Sequence, residues 1–110
     1  MEFAMFQAAA SRTIEQQATE SDTIAYILAS ATEEMGEIAG TVREYFRTGK
    51  VDRAQLIDDL ADAQWYLSAI AALFGLDLDE IAEYAVNKIE RRARVTKIES
   101  EIARRIGRSE

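Results

Sequence analysis

Between residues 24 and 45, apolar side chains recur four and three residues apart: Ile24, Leu28, Ala31, Met35, Ile38, Val42 and Tyr45. A second run keeps the same rhythm through Leu56, Leu60, Ala63, Leu67, Ile70 and Phe74. That period marks one face of an α-helix. Proline is absent and glycine is sparse, so little in the chain forces a helix to stop. No segment alternates apolar and polar residues over several positions, which removes the usual sign of a strand. The expected fold is all-α, a four-to-five-helix antiparallel bundle with the two stripes facing its core.

Local signals divide the chain. Phe3, Phe6, Ala9, Ala10 and Ile14 predict a first helix over residues 2–17. Ser21-Asp22 offers N-cap residues for a second helix over 23–46, and Gly49 suits its C-terminal end. Asp52 followed by Gln55 reads as a capping box for a third helix over 52–74, ended by Gly75. Asp77 followed by Glu80 is a second such box, opening a helix with Ile81, Ala85 and Ile89 inward and Lys88 inside the same stripe. Gly36 and Gly40 cost a helix about 1 kcal/mol each relative to Ala. They either are tolerated or allow close helix approach or ligand access. From 91 to 110 the chain is highly charged, with Ile98, Ile102 and Ile106 four apart. This extension either docks on another subunit or frays.

Composition excludes several chemistries. The 110 residues fit one small domain. There is no cysteine and no histidine, so thiolate zinc sites, cysteine nucleophiles, Ser-His-Asp triads and Glu-x-x-His iron sites are ruled out. A net charge of -7 argues against nucleic acid or an anionic membrane as partner. No apolar run is long enough to span a bilayer, and Met1-Glu2 does not open a secretory signal. The expected location is the cytoplasm. Any chemistry must use carboxylates, Lys, Arg, Tyr and water.

Two acidic clusters stand out: Glu33-Glu34-Met35-Gly36-Glu37, and Asp58-Asp59 followed by Asp62. On a helical wheel Glu34 falls at the edge of the first stripe and Glu37 one step further round, with Glu33 furthest from the core. Asp59, Asp62 and Tyr66 share one face beside the second stripe, and Asp58 and Trp65 are rotated away. A charge cluster is usually a solvated face. Here the same i, i+3 spacing recurs on consecutive helices, beside core stripes. Four carboxylates converging without a cation would raise one another's pKa values. A hard divalent ion relieves that, and oxygen-only ligands suit Mg²⁺ or Mn²⁺.

The chain resembles the MazG-type, all-α nucleotide pyrophosphohydrolases, whose signature is EExxE followed further along by ExxD. Here these are residues 33–37 and Asp59-Leu60-Ala61-Asp62. The flanks agree. FQAAASRT at 6–13 is similar to the first helix of small phage and bacterial members, LADAQWYL at 60–67 to "LgDvLwYL", GLDLDEI at 75–81 to "GLdLdEI", and Lys88-Ile89-x-x-Arg92 to "KLxxR". The resemblance covers residues 3–94, leaving 95–110 as a charged helical extension. One departure is Asp59 where the motif has Glu, which shortens the reach by one methylene, about 1.5 Å. Another is Ala85 where the family often has Asn; Asn87 lies beside the lysine instead.

The resemblance implies metal-dependent hydrolysis of a nucleoside triphosphate, most simply a deoxynucleotide, to the monophosphate and pyrophosphate. Glu34, Glu37, Asp59 and Asp62 would hold Mg²⁺ or Mn²⁺, with Glu33 and Glu34 as the catalytic carboxylates. Lys88, Arg92 and Lys50 would meet the phosphates, and Tyr66 and Trp65 the base. It also implies a homodimer or homotetramer. Two alternatives stay open: a phosphoribosyl-ATP pyrophosphohydrolase, and a non-catalytic helical oligomerisation or interaction module.

Overall fold

The Gly49 N–H donates to the Tyr45 carbonyl at 2.7 Å with Gly49 at φ 73°, so the long helix before it ends in a left-handed residue that glycine adopts without strain. Three residues later Asp52 accepts the Gln55 N–H through Oδ1 at 3.1 Å and starts the next helix. A connection this short makes the two helices antiparallel neighbours. The computed structural model describes residues 1–109, and its order is α1 (Phe3–Ser11), α2 (Glu20–Thr48), α3 (Arg53–Leu73) and α4 (Leu78–Ser109), with no strand among those residues. The fold is all-α, as the spacing predicts.

The helices fall into two compact units. Met1–Leu78 contains α1, α2 and α3, with α2 and α1 both packed on α3; α4 from Asp79 onward forms the other. Within the first unit Gln7 of α1 grips the turn after α3. Its Nε2 donates to the Leu76 carbonyl at 2.8 Å and its Oε1 accepts the Leu78 N–H at 3.1 Å. α4 continues as one helix through residue 94, so the charged tail as far as Ser109 is part of it.

Two helix ends differ from the sequence reading. α1 stops at Ser11 instead of residue 17, because the next residues take other partners. The Thr13 hydroxyl donates to the Ala10 carbonyl at 2.8 Å and accepts the Trp65 indole N–H at 2.7 Å. α2 begins earlier than residue 23, capped by Thr19, whose hydroxyl accepts the Asp22 N–H at 3.0 Å.

The larger correction concerns the core. Ile27, Thr23 and Glu34 are the buried residues of α2, and Asp59, Ser68, Ala69 and Ala71 those of α3. The expected core stripes face outward in places: Leu28 is 58% exposed and Leu67 64%, and Met35, Leu60 and Phe74 are exposed as well. Periodicity identifies an apolar face but not the neighbour that covers it. The buried residues of α2 and α3 are, apart from Ile27, small or acidic, and much of the bulkier stripes is exposed.

Candidate metal centre

Glu34 and Glu37 lie three residues apart on α2, so they project from one face, towards the point where α3 presents Asp59. One carboxylate oxygen from each of the three lies within 4.8 Å of the other two. Glu34 and Asp59 are buried, at 6% and 1% exposure, and Glu37 is open to solvent. A cleft of about 320 Å³ adjoins them, lined by Glu37, Gly40, Thr41, Glu44, Gln55 and Asp59. Water and small ions can therefore reach the cluster from the Glu37 side.

The two buried carboxylates are treated differently. Asp59 accepts a hydrogen bond on each oxygen: Thr41 Oγ1 donates to Oδ2 at 2.7 Å and Gln55 Nε2 to Oδ1 at 2.9 Å. Glu34 Oε1 is buried with no hydrogen-bond partner. Burial pushes the Glu34 carboxyl up from 4.5 to about 7, helped by the charges of Glu37, Asp62 and Asp59 and by contact with the Glu37 carboxyl. A buried carboxylate with an uncompensated oxygen and two carboxylate neighbours is costly unless a proton or a cation joins it. The donor set is all oxygen and anionic, so it fits a hard divalent ion, with Glu34, Glu37 and Asp59 as the residues that could hold it.

The other expected site residues are not among these three ligands. Asp62 is exposed and outside the three-ligand cluster, yet close enough to raise the Glu34 carboxyl. Glu33 is exposed on α2. Tyr66 is half-buried; burial raises its hydroxyl above the usual 10, Ser30 pulls it down through a hydrogen bond, and Glu34 and Asp62 lie near enough to add to the rise. Trp65 stands edge-on to Tyr66, ring centres 5.0 Å apart, and its indole N–H is taken by Thr13. Lys50 is exposed in the connection after α2. Lys88 and Arg92 lie one turn apart on α4, the first half-buried and the second exposed.

Sequence reading missed Thr41, Gln55 and Ser30. Spacing held a clue for Gln55, which precedes Asp59 by four and so lies beside it on one helix surface, whereas Thr41 reaches Asp59 from the other helix. Neutral side chains attract little notice in a search for ligands.

The family model of the MazG nucleotide pyrophosphohydrolase domain matches residues 22–96, which spans α2, α3 and the first half of α4. The chain belongs to the MazG family. MazG membership suggests nucleotide pyrophosphohydrolase activity, and the matched region contains every residue of the acidic cluster. No curated protein and no solved structure is similar enough to this MazG chain to count as a match. No helix among the described residues is long and apolar enough to cross a membrane.

Proposed function

We propose that this MazG chain hydrolyses a nucleoside triphosphate, most simply a deoxynucleotide, to the monophosphate and pyrophosphate, using Mg²⁺ or Mn²⁺. The observation that carries the reading is Glu34, buried with Oε1 unpartnered and with a carboxylate oxygen within 4.8 Å of those of Glu37 and Asp59. Glu34, Glu37 and Asp59 would hold the ion, with Asp62 at the edge of the set. When bound, such an ion neutralises phosphate charge and acidifies a water molecule.

The chain's own residues supply the rest. Water adds to the α-phosphorus as the bond to the bridging oxygen breaks, and pyrophosphate leaves. Glu33, exposed beside Glu34, takes the proton from that water. Lys88 and Arg92, one turn apart on α4, and Lys50 are cations for the triphosphate. Tyr66 meets the base with its ring face, and the edge-on Trp65 fixes the orientation of that ring. Membership in the family and the cluster's geometry support the metal-binding part of this reading; the roles of Glu33, Tyr66, Trp65 and the cations rest on the motif resemblance.

The outward stripes of Leu28, Met35, Leu60 and Leu67 support a homodimer or homotetramer, since exposed apolar faces of this kind favour association. Pyrophosphate release from a panel of deoxynucleoside and ribonucleoside triphosphates, with Mg²⁺ and with EDTA, tests the function. Release that requires metal and is lost in a folded Asp59→Asn variant supports it. No release from any nucleotide with either metal refutes it.

A further inference from the structure

We infer that Thr41 and Gln55 are positioning residues that hold Asp59 ready for a divalent cation, an inference that rests on the metal-centre reading above. Thr41 gives up its ordinary local partner to reach this carboxylate, and Gln55 reaches it from one turn earlier on α3.

Hydroxyls inside helices usually donate to the carbonyl one turn back. Ser11 does so to Gln7 at 2.7 Å, Thr32 to Leu28 at 3.0 Å and Thr48 to Glu44 at 2.8 Å. Thr23 does the same to Thr19 at 3.1 Å. Thr41, in the middle of α2, instead donates across to α3, to Asp59 Oδ2 at 2.7 Å.

Gln55 makes an i, i+4 pair within α3 in place of closing its capping box. It is the third residue after the N-cap Asp52, where a capping-box side chain turns back to the N-cap N–H. Only half of that box forms: the Gln55 N–H is capped by Asp52, and the side chain runs forward one turn to Asp59 Oδ1. Two donors from different helices therefore fix both oxygens of one buried aspartate.

Both donors are neutral. A lysine or arginine in either place would cancel the aspartate's charge and compete with a cation; an amide and a hydroxyl orient the carboxylate and leave its charge intact. Each carboxylate oxygen has two lone-pair directions, so one hydrogen bond apiece leaves room for a ligand bond. Glu34 has no such support, and its oxygen is free to settle against whatever Asp59 holds. The asymmetry describes a site with one fixed wall and one adjustable one.

Mn²⁺ binding, followed by the electron paramagnetic resonance signal of the free ion, tests this in the wild type, Thr41→Val, Thr41→Ser and Gln55→Leu, alongside thermal unfolding without metal. We expect Thr41→Val and Gln55→Leu each to weaken Mn²⁺ binding by about 10–100-fold, the usual effect of losing a group that orients a ligand. Thr41→Ser, which keeps the hydroxyl, restores most of the affinity. Lowered melting temperatures with unchanged Mn²⁺ affinity would show that the two bonds serve the α2–α3 contact alone, and would overturn the positioning role. If Thr41→Val does not fold, Gln55→Leu at the exposed edge of the site decides the matter by the same criterion. A wild type that binds no Mn²⁺ overturns the metal centre itself, and the positioning role with it.

Discussion

Glu34 on α2 and Asp59 on α3 bring carboxylate oxygens within 4.8 Å of each other at buried positions, and only Asp59 has hydrogen-bond donors to compensate it. The metal-free protein therefore carries its electrostatic stress at Glu34.

That stress sets a pH dependence. The Glu34 carboxyl rises from 4.5 to about 7 in the folded chain. Between those values the folded state keeps a proton that the unfolded state has released. Stability is therefore greatest below 4.5 and is lost as pH rises through about 7. The loss is at most about 3.5 kcal/mol for a rise from 4.5 to about 7. Glu34→Gln, which removes the charge and adds a donor facing Glu37, is expected to be more stable than wild type above pH 7 without metal. Melting temperatures of both proteins from pH 5 to 8.5 check this; parallel curves would contradict it.

Metal should reverse the penalty. Binding replaces the Glu34 proton, so Mg²⁺ or Mn²⁺ raises the melting temperature of wild type, more at pH 8 than at pH 6, and releases a proton below pH 7. Calorimetry in two buffers of different ionisation enthalpy reads that proton directly.

How much of this was legible in the sequence differs by level. The helices followed from four-and-three spacing and a chain without proline, and the acidic pairs followed from recurrence on consecutive helices. The facing was misread, because Leu28 and Leu67 repeat with core periodicity yet lie outward. The end of α1 depends on Trp65 reaching Thr13 from another helix, which no local pattern encodes. Thr41 was invisible for a related reason: its choice of Asp59 over a local partner exists only once α2 and α3 are packed.

The Trp65–Thr13 bond should anchor the segment between α1 and α2. Thr13→Val removes the acceptor of this solvent-accessible indole N–H, at a cost of about 0.5–1.5 kcal/mol. Thermal unfolding measures the loss, and the tryptophan emission maximum reports the changed environment. An unchanged melting temperature would show the bond to be incidental.

Gly36 is not required by packing within the chain, since a Cβ there would meet nothing within 4 Å. Gly36→Ala is expected to stabilise α2 by about 1 kcal/mol in chemical denaturation. A stable variant that has lost its activity or its oligomer would assign the glycine to ligand access or to a partner's approach.

Leu67 tests the outward stripe. Leu67→Lys is expected to lower the molar mass measured by light scattering to that of one chain. An unchanged mass would place association elsewhere.

The most direct test of the central claim is a Mn²⁺ binding isotherm at pH 7.5 for wild type and Glu34→Gln. The geometry predicts saturable binding by wild type and binding weakened at least about tenfold by the substitution, which removes a ligand charge. Equal binding by the two proteins, or none by wild type, would contradict a metal centre built on Glu34, Glu37 and Asp59.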